Sequence, residues 1–240
     1  MNVVGIIAAL ESEASTLGPA VRRRDGLSSL GDVALLAVGG MGGIGAAMAA
    51  RSLIDAGAAG LMSYGLAGGL DPSLRAGCFV LPSEVISREG AQFLTSVEWR
   101  ERLHRIIAGQ RPVVAGKLLT DATPIGAVAD KADAFRETGA VAVDMESLAI
   151  AEVAAAHSLP FIAVRVIVDT AMDVLPRAVV AASSGGQLNV PRLIGGLAAA
   201  PLDVFALIRL AQRHRAATRS LAAAVRAGLL TPLAADARAA

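Results

Sequence analysis

The chain has 240 residues, of which 54% are hydrophobic and 18% charged, and this length allows one sizeable core. A net charge of +1 gives no basis for a nucleic-acid-binding surface, and no apolar run reaches the roughly 20 residues that a membrane-spanning helix requires. The single cysteine, Cys78, excludes an internal disulfide and is typical of a reducing compartment, so we expect a cytoplasmic protein. The sequence has no clustered His/Cys set, and it predicts no metal or other cofactor.

Short apolar runs rich in β-branched residues alternate with helical patterns along the chain, which predicts buried strands between helices. The first run meets Glu11 and Glu13 at once and has no basic segment before it, so it predicts a strand and not a signal peptide. The predicted strands are 3–10, 33–38, 60–70, 78–87 with a break at Pro82, 112–120, 140–143 and 160–168. The predicted helices run from the glycine loop at 39–45 to near Gly57, and then over 96–108, 126–138 with its polar face outward, and 146–157.

This alternation, with several strands apolar throughout, predicts a three-layer α/β/α fold with a mixed, mostly parallel central sheet. No linker or change in composition precedes residue 175, so a single domain is predicted over 1–240. Its extended C-terminal part, about 175–233, is predicted to be apolar and helical, with a Ser-Ser-Gly-Gly break at 183–186.

The segment 202–228 predicts a helix, or a broken pair of helices, with an apolar stripe and an arginine-rich face. One interpretation is a final helix that packs on the sheet and leaves the basic face in solvent. The other is a lid or interfacial helix that anionic lipid attracts to the inner face of a membrane. The stripe comprises Leu207, Leu210, Leu221 and Val225, and the arginines are Arg209, Arg213, Arg215, Arg219 and Arg226.

Four carboxylates lie just past predicted strand ends: Glu13, Asp144, Glu146 and Asp169. Ligands of parallel sheets bind at the carboxyl ends of the strands, so these side chains are expected to share one site. No GxSxG motif accompanies them, which favours acid/base chemistry by carboxylates over acyl transfer. Singly, each of them is also explained as a helix cap or a first-turn acid.

The glycine loop contains a loose GxGxxG at Gly40, Gly42 and Gly45. A dinucleotide site also needs an acidic residue about 20 positions further on, at the end of a second strand. The candidate, Asp55, lies inside a helical stretch, so the pattern argues against such a site. It favours instead a loop whose backbone approaches an anion or a sugar closely.

Five motifs in order resemble those of the purine nucleoside phosphorylase/nucleosidase superfamily, and most closely its methylthioadenosine/S-adenosylhomocysteine nucleosidase branch. They are GIIAALESEA (5–14), GMGGIGAA (40–47), GLAGGL (65–70), VDMES (143–147) and RVIVDTAMD (165–173). The GLAGGLDPSLRAG context, VDMES in place of the usual VEMEA, and the oily C-terminal third further resemble the hopanoid-associated subgroup, which removes adenine from adenosylhopane.

The resemblance implies a nucleoside phosphorylase-like fold and an enzyme that cleaves the N-glycosidic bond of a 5′-substituted adenosine and releases adenine. Glu13 is then the acid that activates water, and Asp169 delivers a proton to adenine N7. Glu146 binds the ribose hydroxyls, Met145 packs under the sugar, and Arg165 orients the loop near Asp169. The small-molecule substrate is lipid-like in the hopanoid subgroup, and a homodimer is expected.

The remaining predicted binding residues come from the same resemblance. Leu10 matches a position that lines the 5′ pocket, and Asp144 is the variable acid of the VDMES motif. The others are Gly42, Ala67 and Gly68 in the glycine turns, and Thr123, Pro124 and Ile125 beside the purine.

Three departures from the family pattern bear on the nucleophile. The serine of the family's GSAGGL turn is Leu66 here, the arginine that holds phosphate in phosphorylases is Ser63, and the serine before the general acid is Val168. These changes, with the negative charge of Glu13, favour hydrolysis over phosphorolysis. Phosphorolysis stays open because Arg75, Arg88 or a partner subunit could supply the charge. A non-catalytic nucleoside-binding module is the third alternative, and the survival of the three acids weakens it.

Overall fold

The computed structural model of the protein describes residues 3–23, 25–176, 179–180 and 203–230. Its strands are β1 Val3–Ala8, β2 Val21–Arg22, β3 Ser28–Leu30, β4 Ala34–Val38, β5 Ala58–Gly69, β6 Phe79–Val80, β7 Glu84–Ile86, β8 Gln92–Leu94, β9 Val113–Val114, β10 Lys117–Thr120, β11 Ala140–Asp144 and β12 Phe161–Asp169. Its helices are α1 Glu11–Ala14, α2 Gly43–Asp55, α3 Val97–Ile107, α4 Val128–Thr138, α5 Ser147–Ala156 and α6 Asp203–Arg226.

Every predicted strand has a counterpart, and the predicted break at Pro82 separates β6 from β7. The predicted strand 112–120 is divided into β9 and β10. The short strands β2, β3 and β8 were not predicted. The segment 203–226 is one continuous helix and not a broken pair. The break predicted at 183–186 lies outside the described residues.

The central strands β4, β1, β5 and β12 lie side by side and run parallel. A second group of parallel strands comprises β7, β10 and β11. The two groups meet where Gly68 and Gly69, at the end of β5, pair antiparallel with Val143 and Ala142 near the end of β11. Because both strands end near this meeting point, the carboxyl ends of the two groups converge on one place.

Helices cover both faces of this mixed sheet and bury its apolar side chains. Successive residues of a strand point to opposite faces, so Ile7 of β1 packs with α2 and α5 while Ile6 packs with α3 and the C-terminal half of α6. Helix α4 covers the second strand group through Ala134. The three-layer α/β/α prediction is confirmed. No helix within the described ranges is long and apolar enough to cross a bilayer.

Candidate active site

A cavity of about 170 Å³ lies where the carboxyl ends of the two strand groups converge. Every predicted site residue except Gly42 and Arg165 lines it. The lining residues are Ala9, Leu10, Glu13, Met41, Leu66, Ala67, Gly68, Thr123, Pro124, Ile125, Val143, Asp144, Met145, Glu146, Val168, Asp169 and Leu175.

Six apolar lining residues were not among the predicted site residues, although Leu66 and Val168 had been noted as departures from the family pattern. Five of them are next to a predicted site residue in the sequence. The prediction would therefore have included them if it had taken in one more position beside each predicted residue. Leu175 lies beyond the last predicted strand, and no sequence signal marks it. The six are Ala9, Met41, Leu66, Val143, Val168 and Leu175.

Glu13 is buried at the junction of β1 and α1, and backbone amides hold both of its carboxylate oxygens. Oε2 accepts hydrogen bonds from the amides of Ala9 (3.1 Å) and Leu10 (3.0 Å), and Oε1 accepts one from Leu66 (2.9 Å). The reach back to Leu10, the residue before the helix, is the acidic half of a capping box. A carboxylate accepts about four hydrogen bonds, so Glu13 keeps the capacity for about one more.

Gly65 of β5 makes room for the Glu13 carboxylate. A Cβ at this position would lie 2.5 Å from Oε1 of Glu13 and 2.6 Å from Nη1 of Arg165, which is closer than non-bonded atoms approach. The first glycine of the GLAGGL motif is therefore needed because a side chain would clash with two charged groups. A requirement for a turn would not explain this glycine, since it lies within β5.

Asp169 is buried at the end of β12, where a β-bulge turns the strand. Ile167 pairs with Ala67 of β5 and Asp169 pairs with the next residue, Gly68, so Val168 is the extra residue. Bulges of this kind re-aim side chains beside active sites, and here both Val168 and Asp169 line the cavity. Burial raises the pKa of Asp169, against the lowering effect of a neighbouring ammonium group.

That ammonium group belongs to Lys131 of α4, which the sequence did not single out. The helix was predicted to keep its polar face outward, and for Lys131 this prediction is wrong, because the residue is 0% exposed. Its Nζ forms an ion pair with Oδ2 of Asp169 and donates to the carbonyls of Thr170 and Asp173, both at 2.9 Å. Only two of the 22 basic residues are lysines, so the presence of a lysine at position 131 was a weak sign of a specific function.

Arg165 lies on β12 behind the cavity wall and organises the VDMES junction. Its Nη2 forms an ion pair with Oδ2 of Asp144 (2.6 Å) and lies within hydrogen-bond distance of the hydroxyls of Ser63 (2.6 Å) and Ser147 (3.1 Å). Burial alone would lower the pKa of Arg165, but the carboxylates of Asp144 and Glu146 raise it above its ordinary value. The arginine therefore stays charged, which makes it a fixed cation behind the site.

Asp144 is occupied entirely with internal partners. It accepts hydrogen bonds from the Thr120 hydroxyl (2.7 Å) and from the amide of Ser147, which opens α5, and it pairs with Arg165. Its carboxylate thus helps to cap α5 and holds Arg165 in place. This geometry fits a supporting function for the first acid of the motif, in the wall of the cavity.

Glu146, two residues later, is held less tightly. Oε1 accepts the amide of Gly42 from the glycine loop (2.8 Å), and Oε2 lies 3.8 Å from Nη2 of Arg165. Burial raises the pKa of Glu146 to about 7, with Arg165 opposing the shift and the negative charge of Asp144 adding to it. Gly42 therefore stands behind Glu146 instead of lining the cavity itself.

Helix α6 contacts the segment that carries Glu13 and the loop that follows Asp169. Arg213 pairs with Asp173 (2.7 Å), whose carboxylate also binds the amide and the hydroxyl of Thr170. The ring of His214 lies 3.4 Å from the hydroxyl of Ser12, next to Glu13. Arg213 thus belongs to the support of the Asp169 loop and not to a solvated basic face.

No lysine or arginine side chain of the described residues lines the cavity, whereas four carboxylates do. Ser63, at the family's phosphate-binding arginine position, is buried against Arg165 and Ser147. Arg88 is bound at the surface by Asp121 (3.0 Å) and Glu137 (2.8 Å), and Arg75 is exposed. Neither of the two arginines considered as alternative phosphate ligands therefore reaches the site from within this chain.

Residues 26–190, more than half of the chain, match the family described as the phosphorylase superfamily. The chain belongs to the phosphorylase superfamily. Membership of this superfamily confirms the prediction of an enzyme of the nucleosidase or nucleoside phosphorylase type. No curated protein matches the chain.

Solved structures of nucleosidases share the fold of this superfamily member. The 5′-methylthioadenosine/S-adenosylhomocysteine nucleosidase of Neisseria meningitidis, in complex with methylthio-immucillin-A, has a TM-score of 0.72 and 20% identity, and the match covers 97% of this chain and 100% of that one. The S-adenosylhomocysteine nucleosidase of Streptococcus pyogenes, in complex with 5-methylthiotubericidin, has a TM-score of 0.63 and 20% identity, covering 71% and 84%. A futalosine hydrolase mutant of Helicobacter pylori has a TM-score of 0.61 and 16% identity, covering 70% and 89%.

Proposed function

We propose that this protein hydrolyses the N-glycosidic bond of a 5′-substituted adenosine and releases adenine. The observation that carries the proposal is that one cavity is lined by two buried acids with different partners, Glu13 and Asp169, beside the ribose-binding candidate Glu146, and by no lysine or arginine among the residues that the structure describes. An acid that donates a proton and an acid that accepts one are what the hydrolysis of a glycosidic bond requires.

In this proposal Glu146 binds the ribose through its 2′- and 3′-hydroxyls, and Met145 packs against the sugar. The hydroxyls donate to the carboxylate, which already receives the Gly42 amide on Oε1. As the C1′–N9 bond breaks, positive charge develops on the ribose, and a nearby carboxylate stabilises that charge more strongly than the neutral substrate. Arg165 and Asp144 keep this part of the wall in place.

Asp169 is the proton donor to the leaving base. The electron pair of the C1′–N9 bond goes to the purine, and the proton of Asp169 goes to N7, so that adenine leaves as a neutral molecule. Such a step needs an acid that is still protonated near neutral pH. The raised pKa of Asp169, which is due to its burial, supports this assignment.

Glu13 accepts a proton from the attacking water, whose oxygen bonds to C1′. Three backbone amides fix the carboxylate, and about one acceptor position remains for the water. A phosphate dianion would instead meet four carboxylates and no lysine or arginine from the described part of the chain, an arrangement that disfavours its binding.

Within this substrate class we propose adenosylhopane, by the resemblance of GLAGGLDPSLRAG and VDMES to the hopanoid-associated subgroup. Apolar side chains around the acids support a hydrocarbon at the 5′ position, among them Leu10, Met41 and Leu175. The polar groups of the cavity are concentrated on the four acids. The chemistry shared by all candidates is a 5′-alkyl or 5′-alkylthio adenosine.

A homodimer remains part of this proposal. Ile44 and Met48 on α2 are 84% and 62% exposed, and exposed apolar side chains that lie together mark contact surfaces. Light scattering would show the wild-type protein at twice the monomer mass, and Ile44→Glu would produce the monomer. A monomeric wild-type protein would contradict the dimer.

The activity is tested by incubating the purified protein with 5′-methylthioadenosine and with adenosylhopane, each with and without phosphate. We expect free adenine and a free sugar in the absence of phosphate. Adenine release that requires phosphate and yields a sugar 1-phosphate would establish phosphorolysis instead. Release from methylthioadenosine but not from adenosylhopane would keep the hydrolase and reject the hopanoid substrate.

A further inference from the structure

Lys131, the buried partner of Asp169 behind the cavity wall, has no part in the reaction as described so far. Lys131 and the side chain of Asp169 are 0% and 5% exposed. An ammonium group has three donors, and those of Lys131 are all used, on Oδ2 of Asp169 and on the carbonyls of Thr170 and Asp173. The ammonium is therefore fixed in position and oriented toward a single carboxylate oxygen.

The other oxygen of Asp169 faces different surroundings. Oδ1 receives no hydrogen bond from any residue in the described part of the chain. Gly68 stands in front of the carboxylate, and a Cβ there would lie 3.4 Å from Oδ2 and 3.5 Å from Oδ1. Since Gly68 and Asp169 both line the cavity, this glycine keeps space open on the side where a leaving base would approach.

The choice of lysine is informative in this chain, which contains 20 arginines and two lysines. The other lysine, Lys117, is half-exposed and lies 3.4 Å from Glu84 at the surface. A guanidinium group is planar and suited to two parallel bonds, whereas an ammonium group is a compact point charge. The compact group fits a closed site with one carboxylate oxygen and two carbonyl oxygens.

We propose that Lys131 is a positioning residue for the proton donor: it holds Oδ2 of Asp169, leaves Oδ1 to carry the transferred proton, and stabilises the carboxylate that remains after the proton has moved to the purine. The inference rests on the proposed function. A preorganised donor aimed at a developing negative charge lowers the barrier, because no reorganisation is needed at the moment of reaction. Lys131 keeps its own protons throughout, and only the Asp169 proton is transferred.

The charged groups around this pair come from the loop after β12, from α6 and from the cavity lining. Asp173, in the loop after β12, and Arg213 of α6 lie on the side of the loop, and Glu13, Asp144 and Glu146 line the cavity. Arg213 is already bound to Asp173 at 2.7 Å. Lys131 is thus the cation in direct contact with Asp169, and its removal should shift the titration of this acid upward.

The test compares Lys131→Met and Lys131→Gln with the wild-type enzyme on two substrates. Methylthioadenosine has a leaving group that needs a proton, whereas a p-nitrophenyl 5-methylthioriboside releases nitrophenolate without one. For Lys131→Met we expect kcat for adenine release to fall about 10²-fold with little change in KM. The basic limb of its pH profile should move up by about 1–3 pH units. Cleavage of the nitrophenyl riboside should stay close to the wild-type rate.

Two further variants make the test specific. Lys131→Gln keeps an amide donor for the two carbonyls but no charge, so its basic limb should also move upward, and Lys117→Met, at the surface, should leave both reactions unchanged. Equal losses on both substrates, or an unmoved basic limb, would show a merely structural residue and overturn the inference. A wild-type enzyme that releases no adenine would overturn the proposed function and the inference with it.

Discussion

Glu13 and Asp169 are both buried acids at the carboxyl ends of parallel strands, but they are held by different kinds of partner. Three backbone amides hold Glu13, and the ammonium group of Lys131 holds Asp169. Every residue type except proline has a backbone N–H, so no substitution at Ala9, Leu10 or Leu66 other than to proline removes these donors. The partner of Asp169 is one side chain, and one substitution removes it.

This difference matches the two chemical demands on the site. A base that accepts a proton from water benefits from neutral donors that keep its carboxylate in place. An acid that must lose a proton in the reaction benefits from a positive charge beside the carboxylate that is left behind. Two carboxylic acids thus act as base and as acid because their partners differ. The partners of Glu13 and of Asp169 can be tested separately.

The largest effect is expected from Asp169→Asn, which removes the proton donor and the counter-ion of Lys131 together. Adenine release should fall by about 10²–10⁴-fold. At pH values where Asp169 of the wild type is ionised, stability should also fall by up to about 3–5 kcal/mol, because the buried ammonium of Lys131 then loses its counter-ion. Chemical denaturation should show that adding Lys131→Met restores most of the stability but not the activity. If the single variant is as stable as the wild type, the buried pair is not what holds this loop.

Glu13→Gln should abolish hydrolysis to a similar extent, again about 10²–10⁴-fold, but with a smaller loss of stability. The amide of glutamine retains one acceptor oxygen, so at least one backbone amide faces a donor, at a cost of about 1–3 kcal/mol. Kinetics with added phosphate provide the check. Activity that phosphate stimulates in this variant would contradict the hydrolase.

A moderate effect on the rate is expected from pH. It depends on Glu146 at the ribose end of the cavity, and so it tests that end separately from Glu13 and Asp169. Because burial raises the pKa of Glu146 to about 7, the carboxylate form becomes predominant only above that pH, and kcat/KM should rise about tenfold per pH unit below it. At higher pH, loss of the Asp169 proton should lower the rate again. Glu146→Gln should remove the acidic limb of the pH profile. If the acidic limb is unchanged in this variant, it is due to the titration of another group.

The raised pKa of Glu146 also makes the stability of the protein depend on pH. The pKa of this residue in the folded protein lies above the ordinary value of 4.5 for a glutamate, so the folded protein favours the protonated form. The resulting contribution is fully present below about pH 4.5 and is lost as the pH rises through about 7. Melting temperatures of the wild type should therefore decline more between pH 5 and 8 than those of Glu146→Gln.

The smallest effect concerns α6, whose contacts reach the loops of both acids. Since Arg213 is bound to Asp173, the membrane hypothesis is better tested with Arg209, Arg215 and Arg219, which are exposed. If α6 meets anionic lipid, the wild type should co-sediment with anionic liposomes at low salt and be released at high salt. Changing the three arginines to glutamine should weaken binding by about 1 kcal/mol per residue and leave cleavage of methylthioadenosine intact. Absence of liposome binding would leave α6 as a packing helix only.

The sequence predicted the central strands well because their apolar, β-branched runs are determined locally. Strands β2, β3 and β8 escaped because two or three residues carry no periodicity. The strand-end acids were found because topology alone brings them to one edge of the sheet. Lys131 was missed for a physical reason: a charged residue on a polar helix is normally solvated, and its burial depends on Asp169, 38 residues further along the chain.

The arrangement around Glu13 also has a consequence for how the chain reaches its native state. The amides that hold this carboxylate come from the β1–α1 turn and from β5, and they meet only when Ala8 stands opposite Tyr64 in the parallel pair. A slip of one residue would move the Leu66 amide by about 3.3 Å and leave a carboxylate partly unpaired in the interior. The acid that the reaction uses thereby penalises a misregistered sheet, so chains that mispair these strands should be both inactive and short-lived.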